Sequence, residues 1–228
     1  MATTTNIIRG GITINEILYN PAGGNFDTTS NGTISDVEDE FIEIYNTSSS
    51  DIDISGLQIY DNQVRFFTFP SGTTLEAGKF AIVVRNANAN GGSLPAVSDG
   101  NLAFNAGRTD NNFFNNEGDQ IALYDPSTRN YIQVNYGPSP FPPVVPSNSN
   151  LLSSEDWGNL DETGVSIARN PDGDTQISLQ NSFGSGVNAT PAASNNFVAD
   201  NVAPVITSTS PADDAGNVAV GDDLVITF

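Results

Sequence analysis

Apolar and polar residues alternate in short runs along this chain, each run closed by Asn, Asp, Gly or Pro. Ile12-Thr13-Ile14-Asn15-Glu16-Ile17-Leu18, Asp39-Glu40-Phe41-Ile42-Glu43-Ile44-Tyr45-Asn46 and Ile54-Ser55-Gly56-Leu57-Gln58-Ile59-Tyr60 set the pattern. Period-two runs bounded by turn residues predict strands, here over 11–18, 39–46, 54–60, 64–69 and 79–85. In the last of these Phe80, Ile82 and Val84 share one face. Phe41, Ile42, Ile44, Tyr45, Leu57, Ile59, Phe67 and Phe69 are the other core candidates. Gly118–Tyr124 and Tyr131–Tyr136 flank Asp125-Pro126-Ser127-Thr128-Arg129-Asn130, a hairpin signal with Pro126 at an early turn position. A last short strand and an acidic turn are expected within Gly164–Asp174. No helical period emerges, so the prediction is an all-β fold, an antiparallel sandwich or barrel.

The connections are long. Ala22–Glu38 is rich in Gly, Asn, Thr and Asp and is expected as an exposed loop between the first two strands, of a length that favours function or ordering by a metal. Residues 86–112 are again Asn- and Gly-rich, with Leu94, Val97, Leu102 and Phe104 as scattered anchors. Gly137–Pro146 cannot be a central strand, because its prolines lack ladder donors. It is expected to cover a rim, with Phe141 and Trp157 closing one end of the sandwich. Phe183 and Phe197 are expected to pin the polar segment that runs to Asn201.

Charge narrows the partners. The 228 residues hold 27 acidic and 7 basic side chains, a formal net charge of -20. Such a surface disfavours direct nucleic-acid binding, which relies on Lys and Arg displacing counterions from phosphates. The acidic excess fits simple solubility, adaptation to salt, or carboxylates screened by calcium. With no Cys there is neither a disulfide nor a thiolate metal site, and with no His the usual zinc sites and Ser-His-Asp triads are absent. No run of 18 apolar residues suggests a membrane span, and Met1–Asn6 lacks the regions of a cleavable signal peptide. A cytoplasmic protein fits these absences; so does a mature fragment, or a protein exported through a C-terminal signal outside this chain.

Three acidic residues stand out on the predicted strands. Glu16, Glu40 and Glu43, together with Asp36, Asp39 or loop carbonyls, are candidate ligands for Ca2+, which flexible oxygen-rich loops suit better than magnesium or zinc. Asp172 and Asp174 form a second candidate, and Asp213, Asp214, Asp222 and Asp223 a third. The competing structural reading has these carboxylates accepting hydrogen bonds from loop amides. On an ideal strand Glu43 shares a face with Phe41 and Tyr45 while Ile42 and Ile44 face the other way. Glu40 and Glu43 then fall on opposite faces, which argues against a catalytic pair, and Lys79 is the only lysine. A glycan-binding alternative uses Tyr19, Tyr60, Phe66, Tyr131 or Trp157 as a stacking platform. Arg65, Arg108 and Arg129 are expected as surface counterions.

The ordered set Asn15-Glu16-Ile17, Glu40–Asn46, Asp53-Ile54-Ser55-Gly56-Leu57, Phe69-Pro70-Ser71-Gly72-Thr73, Leu75, Gly78 and Asn116–Tyr124 resembles the lamin tail domain as found in bacterial extracellular proteins. Ser166-Ile167-Ala168-Arg169 with Pro171-Asp172-Gly173-Asp174 is similar to the segment that often closes bacterial copies. The resemblance implies an immunoglobulin-like β-sandwich over 8–198. From 199 the chain resembles a linker and the incomplete start of a bacterial immunoglobulin-like module, with strands near 204–209 and 223–228. A non-catalytic structural, scaffold or adhesion module of a larger bacterial secreted or cell-surface protein is the function implied. The alternatives are a calcium-dependent carbohydrate-binding module and an accessory domain of a secreted nuclease or phosphatase. Neighbouring domains of the same protein, and a cell-surface protein or glycan, are the partners expected.

Overall fold

The computed structural model describes residues 5–22, 26–62, 64–109, 114–138, 142–160, 163–183, 187–195, 208–210 and 225–227. The chain divides into two compact units, Met1–Phe197 and Val198–Phe228.

The larger unit is all-β, with two short 3-10 turns at Ala89–Gly91 and Gln180–Phe183 and no α-helix among the described residues. Its strands in chain order are β1 (Ile12–Leu18), β2 (Phe41–Asn46), β3 (Ile52–Asp53), β4 (Gln58–Tyr60), β5 (Arg65–Thr68), β6 (Thr74–Leu75), β7 (Phe80–Val84), β8 (Leu102–Asn105), β9 (Asp119–Asp125), β10 (Asn130–Tyr136), β11 (Asn150–Asp156), β12 (Ile167–Arg169) and β13 (Ile177–Leu179). One sheet runs β13-β12-β1-β2-β7-β8, the other β11-β10-β9-β4-β5, and β3 pairs with β6 apart from both.

Between the sheets Ile14, Ile17, Ile42, Ile44 and Val83 of the first meet Ile59, Ile121, Leu123, Ile132 and Val134 of the second, all sealed from solvent. Burying a side chain of this size stabilises by about 1.5–3 kcal/mol, so this layer is the main stabilising element of the unit. The Tyr19 and Tyr136 rings stack at 4.3 Å toward one end.

The inward phase of β1 would fail at Glu16 if the strand were regular. A bulge prevents this. The register with β2 slips between Ile14 and Glu16, pairing Ile14 with Ile44 and Glu16 with Glu43 and leaving Asn15 as the extra residue. Ile12, Ile14, Ile17 and Tyr19 all reach the core because the inserted residue re-phases the strand.

The predicted hairpin forms between β9 and β10. Asp125 Oδ1 accepts from Ser127 N at 2.9 Å and Arg129 N donates to the Asp125 carbonyl at 2.8 Å. Within this mainly antiparallel arrangement each sheet also contains one parallel edge pair, β7 with β8 and β10 with β11. Parallel neighbours need a long crossover, and the two Asn-, Gly- and Pro-rich inserts supply it.

The 22–38 segment contains no strand among its described residues, yet it is less exposed than expected. Thr28, Thr29 and Glu38 are buried, and Asp27 gathers the Asn31 and Gly32 amides. Trp157 is 2 % exposed, inside the core cluster and not at a rim, while Phe141 and Phe197 lie outside the described residues. In the smaller unit β14 (Ser208–Ser210) and β15 (Val225–Thr227) form an antiparallel pair, and Asp213, Asp214, Asp222 and Asp223 are outside the described residues.

Candidate functional site

The acidic residues of β1 and β2 fall into separate places. Because of the bulge, Glu16 and Glu43 stand directly opposite one another on the outer face of the first sheet, both with no exposed surface. The segment 187–195 lies over them as a strap. Ala189 and Ala192 pack on Leu18, Phe41, Ile82 and Val84, and the strap's backbone amides donate to the carboxylates. Thr190 N reaches Glu16 Oε1 at 2.9 Å and Ala192 N reaches Glu43 Oε2 at 2.7 Å. Ser166 Oγ and Thr190 Oγ1 also bond Glu16, and Asn15 Nδ2 bonds Glu43 Oε1 at 3.2 Å.

Asp172 joins this cluster through Asn15 Nδ2 at 3.0 Å and Asn195 N at 3.0 Å. The acidic turn, a second site in the sequence reading, thus meets the first. Burial pushes the Glu16 carboxyl up to about 7, against the lowering by its hydrogen bonds. Burial and then the facing Glu16 charge hold Glu43 well above the ordinary carboxylate range.

Glu40 and Asp36 lie elsewhere. Glu40 immediately precedes β2 and pairs with Arg85, which immediately follows β7; Arg85 N donates to the Glu40 carbonyl at 2.9 Å and Arg85 Nη1 to Glu40 Oε2 at 2.8 Å. The same Nη1 also bonds the Asp36 carbonyl. Burial raises the Glu40 pKa and the guanidinium draws it back, leaving it above the ordinary value. Asp36, Val37, Glu40, Arg85, Phe114, Asn115 and Asn116 line a cavity of about 360 Å³. Nearby Asp119 accepts from Gln120 N and Asn115 Nδ2, and burial pushes it up to about 7.

Two of the sequence candidates act singly. Asp39 accepts from Thr29 N and Ser35 N, both at 3.0 Å, fastening the preceding loop. Asp174 accepts from Thr175 N, while its carbonyl takes the Arg169 Nη1 hydrogen. Of the sequence candidates, Glu16, Glu43 and Asp172 come together, Asp36 and Glu40 lie at the Arg85 end, and Asp39 and Asp174 stand apart. Among the described residues no group of three or more Asp or Glu side chains is arranged to hold a metal ion.

The stacking platform is also displaced. Tyr19, Tyr60, Phe66 and Trp157 are buried, leaving half-buried Tyr131 packed beside Tyr60 and Tyr124. The sequence reading missed Arg85, Asp119, Asn15 and Thr190. An arginine directly after the buried run Phe80–Val84, and the break in alternation at Asn15-Glu16, were the available signals. Arg9, on a bend before β1, likewise holds Asp125 at 2.9 Å and the carbonyls of Asp53 and Ser55.

Residues 8–138, which contain β1 to β10, match the model of the lamin tail domain. The chain belongs to the lamin tail domain family. No curated protein matches it. The family match ends before β11, β12 and β13, yet β12 pairs with β1 and β11 with β10, so the lamin tail sandwich of this chain draws strands from beyond the matched segment. As a lamin tail domain it is a non-catalytic β module. Among the described residues no helix is long and apolar enough to cross a membrane.

Proposed function

We propose that this chain is a scaffold or adhesion module of a larger bacterial secreted or cell-surface protein. One observation carries the reading beyond family membership: the chemistry-bearing side chains are committed to the fold's own loops. Glu16 and Glu43 hold the strap, Asp39 the loop before β2, Asp125 the β9–β10 turn and Arg85 the two ends that meet at Glu40. Polar groups matched internally in this way define loop positions and rigidity, the properties a spacer or display module needs. The second β unit after Phe197 supports a tandem arrangement, and its opening resembles an immunoglobulin-like module.

A glycan array read with the whole chain, in calcium and in chelator, tests this. The scaffold reading expects no saturable glycan-specific signal in either condition. Saturable binding lost on chelation would replace it with a calcium-dependent lectin.

A further inference from the structure

The inserts at 22–38 and 86–112 are joined at one carboxylate. Buried Glu38 accepts Asn31 Nδ2 on Oε2 at 2.6 Å and Asn90 Nδ2 on Oε1, and Asn31 Nδ2 also reaches the Ala89 carbonyl at 3.2 Å. Both asparagines precede a glycine, and no other asparagine of the chain does. An asparagine in that position carries a reaction of its own. The following backbone nitrogen attacks the side-chain amide carbon, unobstructed because glycine has no Cβ, closing a five-membered succinimide and expelling ammonia.

Around Asn31 the fold serves each reacting group. Gly32 N donates to Asp27 Oδ2 at 2.7 Å, so a carboxylate already sits on the hydrogen that the nucleophile must lose. Thr33 N donates to Asn31 Oδ1 at 2.7 Å, which polarises the carbonyl under attack and folds it back over the Gly32 peptide. Asn31 N reaches Asp27 Oδ1 at 3.3 Å and keeps that carboxylate beside both residues. Gly32 is exposed, with φ 82° and open space where a Cβ would stand, so water has access to the peptide. Asn90 is the contrast within the same contact. At ψ 28° its Cβ and the Gly91 nitrogen lie on nearly opposite sides of the Cα–C bond, and the ring cannot close there without a backbone rotation.

We infer that Asn31-Gly32 is a self-modification site, and that its conversion to aspartate or isoaspartate unfastens the two inserts from each other. Gly32 N forms a bond to Asn31 Cγ and passes its hydrogen to Asp27. The Cγ–Nδ2 bond then breaks, and the nitrogen takes up that hydrogen and leaves as ammonia. Water adds to one or other carbonyl of the imide, giving aspartate or, with the main chain rerouted through the side chain, isoaspartate. Water is the only co-reactant. Either product removes the Nδ2 donor from Glu38 and the Ala89 carbonyl and adds a negative charge within reach of Glu38, so an attraction between the inserts becomes a repulsion.

The test incubates the whole chain at neutral pH and follows positions 31 and 90 separately by peptide mapping and mass spectrometry, beside a free peptide spanning residues 29–34. Asn31 should convert faster than Asn90 and faster than the same asparagine in the peptide. Asp27→Asn, which keeps an acceptor for Asn31 N but is a far weaker base, should slow Asn31 by about tenfold or more. The converted chain, separated by ion exchange on its added charge, should show faster hydrogen exchange over residues 86–93 than the unconverted one. Conversion at Asn31 no faster than at Asn90 or in the peptide overturns the proposal, as does an unchanged rate in Asp27→Asn or unchanged exchange over 86–93. Should that variant not fold, the wild-type rate against the peptide decides alone.

Discussion

At the Arg85 end of the sandwich a buried carboxylate faces a guanidinium at 2.8 Å, whereas under the strap two buried carboxylates face each other, with hydroxyl and amide donors and the Asp172 carboxylate around them. Both places take an acidic side chain of the same β2 region out of water. The first is neutralised by a fixed cation and responds to removal of a side chain. The second has no cation beside it, only hydrogen-bond donors, and burial raises both of its carboxyls, so it responds to solvent pH. Glu40 and Glu43, three residues apart at the start of β2, thus acquire different sensitivities from what the neighbouring segments place opposite them.

Removing Arg85 gives the largest effect. Arg85→Met leaves Glu40 buried without its partner and frees the Asp36 carbonyl, so urea denaturation should show a loss of about 3–5 kcal/mol. A loss below about 1 kcal/mol would mean that the ion pair is not the anchor of that end. Glu43→Ala comes next. It strips the acceptor from Asn15 Nδ2 and Ala192 N, at a cost of about 1–3 kcal/mol. The cost should be larger at pH 5 than at pH 8, where relief of repulsion with Glu16 offsets part of it; equal costs would separate the two carboxylates electrostatically.

Solvent pH distinguishes the regions further. Glu16 and Asp119, both raised to about 7 by burial, stabilise the fold fully below their ordinary values of 4.5 and 3.8, and that stability is lost as pH rises through about 7. Asp125 has the opposite sign: hydrogen bonds from Arg9 and Ser127 outweigh its burial and hold it at about 2, so its contribution is present above 3.8 and disappears as pH falls through about 2. Thermal melts should therefore peak on the acid side of neutrality, and Glu16→Gln should flatten the neutral limb while leaving the acid limb in place. A melt that rises steadily to pH 8 contradicts this assignment. The smallest effect is expected from cations. At matched ionic strength calcium and magnesium should shift the melt equally, since among the described residues no three Asp or Glu side chains are grouped to hold an ion; a calcium-specific shift abolished by Glu43→Gln would instead support the metal reading.

Much of the framework was legible because alternation encodes a buried face, as in Phe80–Val84 and Gly118–Tyr124. Strands β8 and β11 escaped for different reasons. The first is a parallel edge strand inside an Asn-rich crossover. The second, Asn150-Leu151-Leu152-Ser153-Ser154-Glu155-Asp156, lies at a sheet edge with Leu151 and Leu152 exposed, so no buried face imposes a period on it. The proximity of Glu16 and Glu43 followed from their strands. The arrival of Asp172, 157 residues beyond Asn15, and of the strap depends on tertiary pairing that local pattern does not specify. The family resemblance supplied the order of strands, and the bulge at Asn15 decided which acids were hidden.

The pairing of β1 with β12 also bears on how the chain comes into being. During synthesis β1 and β2 leave the ribosome early, yet the edge of β1 that β12 will occupy stays vacant until about residue 169 has emerged. An Ile-rich strand with a vacant edge is a template for wrong pairing, and closing so distant a contact is slow. Glu16 sits at that edge. Before the strap arrives it is hydrated and charged, so the residue that is later hidden first serves the nascent sheet as an electrostatic guard against association.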